Sequence, residues 1–162
     1  FEAIFLFIST TGVGTSTSDF CKSPTLGPGG SPITYCETEV PKTVTTPYFA
    51  MTVPEGSAYA IHEDGRSGDM QPDLSMSMCM LSVRVFDQAA LNQHLTSHYG
   101  RCSYVAAGSE RICTNEVDGD TVMERIVIGT NHSIRVHFTE RWSGPPVETY
   151  REAVMAVRLI DN

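Results

Sequence analysis

Residues 121–142 constrain the fold more than any other stretch, because they have the pattern of two strands joined by a turn. In the second half, Ile134, Val136 and Phe138 alternate with polar residues, which is the period of a half-buried strand. The segment 129–133 between the halves is polar and begins with glycine, as the tip of a hairpin requires. The pattern predicts a β-hairpin, and with it an antiparallel sheet.

Two further segments have the spacing of amphipathic helices. Leu91 and Leu95 lie one turn apart after Asp87, a residue type that caps helix N-termini well, and they predict a helix over about residues 87–99. A second apolar stripe predicts a helix over about residues 146–156. The expected fold class is therefore α+β, an antiparallel β-sheet packed by two helices.

The other apolar segments are short and are predicted to be strands. They cover residues 48–53, 58–62, 74–86, 101–117 (as a pair of strands) and 157–160. The stretch 63–72 is polar and contains glycine and proline, so it is predicted to be a loop.

The first 45 residues differ in composition from the rest. Residues 10–45 are rich in Gly, Pro, Ser and Thr, which predicts an irregular N-terminal arm over 1–45 ahead of a single domain over 46–162. The apolar segment 1–9 has two interpretations: a strand of this domain, or a strand lent to a neighbouring subunit. The second interpretation would make the protein an oligomer assembled through residues 1–9.

Five cysteines are many for a protein of a reducing compartment. None forms a CxxC pair, which argues against zinc knuckles and thioredoxin-like sites. Closeness in sequence suggests one disulfide between Cys21 and Cys36, which would staple the arm, and another between Cys102 and Cys113. Cys79 is then left as a buried free thiol. This usage predicts an extracytoplasmic protein, periplasmic or secreted.

The charge balance narrows the class of partner. The formal net charge is -8, from 11 basic and 19 acidic residues, and no Lys/Arg run occurs. The balance argues against a nucleic-acid partner and against electrostatic docking on an anionic membrane. No apolar stretch is long enough to span a bilayer, so no integral membrane segment is expected. An acidic surface favours a basic protein partner or cations, although it also serves solubility alone.

The predicted first helix carries His94 and His98 one turn apart, so their imidazoles share a face and form a candidate metal pair. The segment HLTSH lacks the glutamate of a zincin, and no third ligand is evident in the sequence. The alternative is two surface or half-buried histidines that hold no metal. No cofactor is expected.

Catalytic motifs are absent from the sequence: it has neither GxSxG nor HExxH, and no cysteine lies in a nucleophile signature. A non-catalytic protein is therefore predicted. The candidate partner-binding residues are Asp64, Arg66 and Asp69 in the predicted polar loop, together with Trp142 beside a Ser-Gly-Pro-Pro run. Trp142 has an alternative place, packed under the second helix.

The order of elements over roughly residues 46–160 resembles the PsbP/Mog1-type α+β fold of small secreted domains and lipoproteins. An aromatic residue followed by a Val-Pro-Glu-Gly turn at 53–56, and a C-terminal helix–strand unit ending in Val-Arg-Leu-Ile, carry the resemblance. Ser57 stands where an aromatic residue often follows Pro-Glu-Gly, and the additional cysteines also depart from the pattern. The resemblance implies a non-catalytic binding or assembly factor.

The expected function is a non-catalytic, extracytoplasmic protein-binding module. In size, charge and class it is similar to the immunity or inhibitor proteins of secreted bacterial toxins. Two alternatives stay open. One is a secreted protein that binds a small ligand or a metal, using His94 and His98, and the other is a structural subunit of a surface assembly joined through residues 1–9.

Overall fold

The computed structural model describes residues 19–22, 24–26, 32–62, 64–74, 81–97, 103–117, 120–140 and 147–161. The first strands in chain order are β1 (Phe20–Cys21), β2 (Thr25–Leu26), β3 (Pro32–Ile33), β4 (Cys36–Glu37), β5 (Lys42–Thr45), β6 (Phe49–Val53), β7 (Ala58–Ile61) and β8 (Ser67–Gln71). They are followed by β9 (Leu81–Phe86), helix α1 (Gln88–Ser97), β10 (Val105–Ala107), β11 (Glu110–Val117), β12 (Asp120–Ile128), β13 (Ser133–Glu140), helix α2 (Val147–Ala156) and β14 (Arg158–Leu159).

One large sheet dominates the described part of the chain. Its strand order is β1-β4-β7-β8-β9-β13-β12-β11-β10, and every neighbouring pair is antiparallel. A smaller antiparallel sheet has the order β14-β6-β5, and β2 pairs with β3. With α1 and α2 at the predicted places, the fold is α+β, as the sequence predicts. Neither they nor any other helix among the described residues is long and apolar enough to cross a membrane.

Strands β12 and β13 form the predicted hairpin, with Ile128 opposite Ser133 at the turn. Ile134, Val136 and Phe138 are fully buried, as their alternation predicts. Their side chains lie on one face of the large sheet, since alternate residues of a strand share a face. We call this side the core face.

The turn of this hairpin is held by the end of the chain. The Asp161 carboxylate accepts hydrogen bonds from the backbone N–H groups of Thr130 and Asn131. Gly129 has no room for a side chain, because a Cβ there would overlap the backbone oxygen of His132 and a leucine of β14. The turn and the last strand therefore fix each other in place.

The hydrophobic core lies between the core face and a layer formed by β6 and α2. Val83 contributes from the large sheet, Phe49 and Met51 from β6, and Tyr150 and Val154 from α2. The positions that alternate with the core residues lie on the opposite side of the large sheet. We call that side the polar face, because it carries charged residues of β8, β9, β12 and β13. Helix α1 packs on it.

A buried arginine ties α2 to the large sheet. Arg125 of β12 donates from Nη1 to the carbonyl oxygens of Val154, Met155 and Val157, at 3.0, 3.2 and 2.7 Å. Its Nε and Nη2 form a two-point ion pair with Glu110, at 2.9 and 2.6 Å. Carbonyls at the C-terminal end of a helix have no partner within the helix, so Arg125 caps α2.

The predicted disulfide between Cys21 and Cys36 is confirmed, and it joins residues that lie directly opposite each other on β1 and β4. The start of the described chain is held by polar contacts as well. Asp19 accepts a hydrogen bond from the Tyr59 hydroxyl at 2.6 Å and forms an ion pair with Lys42. The start of the described chain is thus held to β4 by a covalent bond, to β7 by a hydrogen bond and to β5 by an ion pair.

Cys113 is buried and disulfide-bonded. Its predicted partner, Cys102, and the predicted free thiol, Cys79, both lie outside the described residues. Residues 1–9 lie outside them too, so assembly through that segment stays a prediction.

The prediction of a loop at 63–72 was wrong in part, because Ser67–Gln71 form β8. A strand is recognised in sequence by apolar residues at its buried positions, but in β8 the polar residues Asp69 and Gln71 are buried. The sequence of β8 therefore shows no apolar alternation. The predicted arm is also more ordered than its composition suggests. Cys36–Glu37 pair with β7 and Lys42–Thr45 pair with β6, so both segments belong to the sheets.

Candidate functional site

A buried carboxylate lies on the polar face in β8. The Asp69 side chain is 7% exposed, with His62 Nε2 at 2.7 Å from Oδ2. Arg84 Nη1 donates to Asp69 Oδ1 at 2.9 Å, and also to the carbonyl oxygens of Gly68 and Val83. A buried charge requires such partners to compensate for its lost hydration. We call His62, Asp69 and Arg84 the Asp69 triad.

A second buried carboxylate lies two strands beyond β9, in β12. The Glu124 side chain is 5% exposed, and His94 Nε2 of α1 lies 2.7 Å from its Oε1. Arg135 Nε donates to Oε2 at 2.6 Å, and the Tyr104 hydroxyl donates to Oε1. The His94 ring also lies 5.3 Å from the Phe86 ring, which fixes α1 on the polar face. We call His94, Glu124 and Arg135 the Glu124 triad.

Strand register brings the two triads together. Arg84 of β9 lies directly opposite Arg135 of β13, so the two guanidinium groups start from adjacent positions on the same face. The neighbouring row across the sheet runs through Asp69, Ser82, His137 and Glu124. Each carboxylate therefore lies on the outer side of its own arginine, and the two arginines occupy the inner strands β9 and β13.

The electrostatic state of the Glu124 triad follows from its contacts. Burial alone would raise the pKa of Glu124, but hydrogen bonds from His94 and Tyr104 and the charge of Arg135 outweigh it and lower the pKa from 4.5 to about 2. Burial and the bond to Glu124 raise the pKa of Tyr104 above its usual value. At neutral pH Glu124 is consequently an anion, and the Tyr104 hydroxyl is a neutral donor.

The two arginines retain donors that no acceptor among the described residues uses. Arg84 makes its hydrogen bonds with Nη1, which leaves Nε and Nη2. Arg135 makes its bond with Nε, which leaves both Nη groups. The two side chains are 35% and 23% exposed. With respect to the part of the chain that the structure describes, each guanidinium group thus keeps N–H donors beyond those used in its ion pair.

The predicted partner-binding residues do not all lie together. Asp64 is exposed and accepts a hydrogen bond from the Arg66 backbone N–H at 2.9 Å, in the turn between β7 and β8. The Arg66 guanidinium lies 5.1 Å from the centroid of the Tyr48 ring. Asp69 lies apart from this turn surface, buried in the Asp69 triad. Trp142 lies outside the described residues.

The predicted metal pair is placed in part. His94 has its Nε2 directed at Glu124, and His98 lies outside the described residues. Among the described residues, no group of three or more His, Cys, Asp and Glu side chains is arranged to hold a metal ion. The metal pair stays a prediction.

The sequence analysis did not identify Arg84, Arg135, Glu124 or Tyr104 as site residues. A signal for the arginines is present, since each is a charged residue between two β-branched apolar residues of a central strand. Such a residue needs a polar partner on its own face of the sheet. Which partner it meets depends on the register of strands that are distant in sequence, and no local pattern encodes that register.

A second charged surface lies around the turn between β6 and β7. The Gly56 backbone N–H donates to Thr38 O at 2.8 Å, and the Thr38 N–H donates to Ser57 O at 3.1 Å, so the segments 37–40 and 54–57 are in contact. Leu74 N–H donates to Glu37 Oε2 at 3.3 Å, which brings the segment 73–74 beside them. We call this surface the acidic end, and its carboxylates are Glu37, Glu39, Glu55 and Asp73.

An apolar side chain is exposed at the acidic end. Val40 is 43% exposed, next to the exposed carboxylate of Glu39. Lys22 donates to Leu74 O and adds a positive charge at the same end, but the carboxylates outnumber it. The acidic end thus combines one exposed apolar side chain with an excess of negative charge.

Comparison with known proteins adds no family. No protein-family model matches the chain, and no curated protein matches it. A crystal structure of a protein from Bacteroides thetaiotaomicron is similar to it, with a TM-score of 0.49 and 14% sequence identity, over 77% of this chain and 50% of that one. The chain thus spans about half the length of that protein. A likeness at this level carries no argument, and the resemblance to PsbP/Mog1-type domains stays a prediction.

Proposed function

We propose that this protein is a non-catalytic, extracytoplasmic module that binds a basic protein, with an inhibitor or immunity protein of a secreted toxin as one such role. The observation that carries the proposal is the acidic end, where neighbouring segments carry four carboxylates, with Glu39 and Glu55 exposed, together with the exposed Val40. Negative charge on such a surface attracts a basic partner from a distance and aligns it, and the exposed Val40 then contributes apolar contact area. The net charge of -8 acts in the same direction.

The disulfides support the location outside the cytoplasm. The Cys21–Cys36 bond joins a strand at the edge of the sheet, where Cys21 is exposed. An accessible disulfide is reduced by the thiol systems of a cytosol, and it persists in an oxidising compartment. A secreted or periplasmic protein of this size commonly gains stability in this way.

The proposal is tested by affinity capture with matched charge reversals. The wild-type protein, Glu55→Lys and Glu116→Lys are immobilised and exposed to proteins from the extracytoplasmic fraction of the source cells. Glu55 lies in the acidic end, and Glu116 is an exposed glutamate of β11 with the same change in charge.

We expect a basic protein that binds the wild type and Glu116→Lys at least about tenfold more tightly than Glu55→Lys, with an affinity that falls as salt is raised. An affinity indifferent to salt, or an equal loss in both variants, contradicts docking at the acidic end.

A further inference from the structure

We propose that Arg84 and Arg135 form a binding site for a small oxyanion, in which a carboxylate or phosphate group of a small molecule spans the two guanidinium groups. The site lies on the polar face, between the Asp69 triad and the Glu124 triad. It uses none of the residues of the acidic end, so it stands or falls independently of the proposed protein partner.

Two like charges lie directly opposite each other at this site. Side chains directly opposite on antiparallel strands start about 4.5–5.5 Å apart at their Cβ atoms, and like charges in that position are destabilising. Arg84 and Arg135 occupy such a pair, in β9 and β13 at the centre of the nine-stranded sheet. Within the described residues no carboxylate contacts both of them. An anion between them would relieve the repulsion.

Both guanidinium groups are held by ion pairs from their outer sides. Asp69 binds Arg84 from the side of β8, and Glu124 binds Arg135 from the side of β12. These ion pairs and the histidines behind them hold both guanidinium groups in place, so little side-chain entropy is left to lose when a ligand binds. Both side chains are partly exposed, at 35% and 23%, so a small ligand can approach them from solvent. Fixed forks of this kind match the two oxygens of a carboxylate or phosphate.

The cross-strand pair next to the arginines adds a hydroxyl group to this face. Ser82 lies opposite His137 in the next position on the same face, and both are half-buried. The Ser82 hydroxyl can donate a hydrogen bond to an oxyanion held by the arginines. Arg84 and Arg135 are themselves half-buried, so salt screens their charges less than it screens those of exposed arginines. Their attraction for an anion is correspondingly stronger.

The test measures thermal stability in oxyanion and in chloride at equal ionic strength. Sodium phosphate and sodium acetate are the two probes, and sodium chloride is the reference. Wild type is compared with Arg84→Lys and Arg135→Lys, which keep the charge but lose the fork, and with Arg111→Lys. Arg111 is the matched control, since it lies in the same row of the polar face but bonds to backbone carbonyls of its own turn.

We expect phosphate or acetate at about 50 mM to raise the Tm of wild type and Arg111→Lys by about 3 °C or more above the chloride reference. Arg84→Lys and Arg135→Lys should lose this rise, because a lysine cannot bind two oxygens in one plane. The larger rise identifies the phosphate or the carboxylate as the preferred group. Equal Tm values in all three salts, or a rise that survives in both site variants, overturn the proposal.

A measurement on the wild type keeps the test decisive if a site variant does not fold. Backbone amide NMR during a phosphate titration, again against chloride, should shift the signals of residues 82–84 and 135–137. Shifts confined to other residues would place the anion elsewhere and overturn the site.

Discussion

Glu124 is the residue whose charge the polar face depends on most. It is buried, and its carboxylate is hydrogen-bonded to three residues. These are His94 of α1, Arg135 of β13 and Tyr104 in the segment before β10. These contacts therefore stabilise the ionised form of Glu124 more in the folded protein than in the unfolded chain. Neutralising Glu124 weakens its bonds to all three partners at once.

The lowered pKa of Glu124 predicts a loss of stability in acid. Between pH 4.5 and about 2 the unfolded chain binds a proton at Glu124 that the folded protein does not, so the free energy of unfolding falls as the pH falls through this window. The variant Glu124→Gln has no carboxyl group at this position, so it lacks this pH-dependent contribution to the free energy of unfolding. We expect it to be less stable than wild type by about 2–3 kcal/mol near neutral pH, a difference that narrows towards pH 2.

Urea unfolding of wild type and Glu124→Gln at a series of pH values measures this difference. Glu116→Gln, at an exposed position of β11, serves as the control and should follow the wild type throughout. A difference between wild type and Glu124→Gln that is constant from neutral pH to pH 2 would show that the charge of Glu124 is not responsible.

Replacing Gly129 with alanine should destabilise the protein through steric overlap alone. A methyl group at this position would overlap the backbone oxygen of His132, which cannot move without breaking the turn. Gly129→Ala should cost about 2 kcal/mol or more. Gly108→Ala is the control: a Cβ there meets nothing within 4 Å, and its positive φ of 60° should cost about 1 kcal/mol. Equal thermal stability of the two variants would contradict the overlap.

Residue-level burial was the part least accessible to sequence analysis. Asp69 belongs to a polar stretch that reads as a surface loop, yet it is buried because His62 and Arg84 supply its hydrogen bonds. Glu124 interrupts an apolar strand without any local sign of its three partners. In both cases the compensating charges come from strands or helices distant in sequence, so tertiary register decides the outcome.

At the scale of elements, α2 is positioned by one side chain as well as by its apolar stripe. Arg125 accounts for the last carbonyls of the helix and is held by Glu110. That bond also lowers the pKa of Glu110, which keeps the pair ionised. The sequence predicts α2 from its periodicity, but it does not predict which residue of the sheet caps it.

Arg125→Met should therefore destabilise the protein by about 3 kcal/mol, since it leaves Glu110 and the helix carbonyls without a donor. Urea unfolding measures the loss, and hydrogen exchange should show it first in the last turn of α2. Arg158→Met, an exposed arginine of β14, is the control, with an expected change within about 0.5 kcal/mol. A similar small change for Arg125→Met would rule out the capping role.

The β12–β13 hairpin and β8 show which elements a single sequence encodes. The hairpin has alternation in its own residues, and its buried Ile134 and Phe138 follow that alternation. Strand β8 has a glycine that packs under Phe49 and polar residues bonded to distant partners. Its existence depends on pairing with β7 and β9 rather than on any local preference.

At the scale of the whole molecule, the Cys21–Cys36 disulfide staples β1, at the edge of the large sheet, to β4 beside it. The two cysteines have a sequence separation of 15, and for a loop of that length the chain-entropy model gives a stabilisation of about 3 kcal/mol. The double variant Cys21→Ser, Cys36→Ser should lower the free energy of unfolding by about that amount in urea. Phe20→Ala, beside the bond and 70% exposed, should change it by less than about 0.5 kcal/mol. An equal effect of the two changes would contradict a stapling role.

Native mass spectrometry of the protein as isolated from its source, before and after reduction, tests the proposed function most directly. A complex with a basic protein that dissociates as salt is raised, together with a mass that increases on reduction, is the predicted result. A monomer without any bound protein would contradict a partner-binding module. A mass unchanged by reduction would contradict its place outside the cytoplasm.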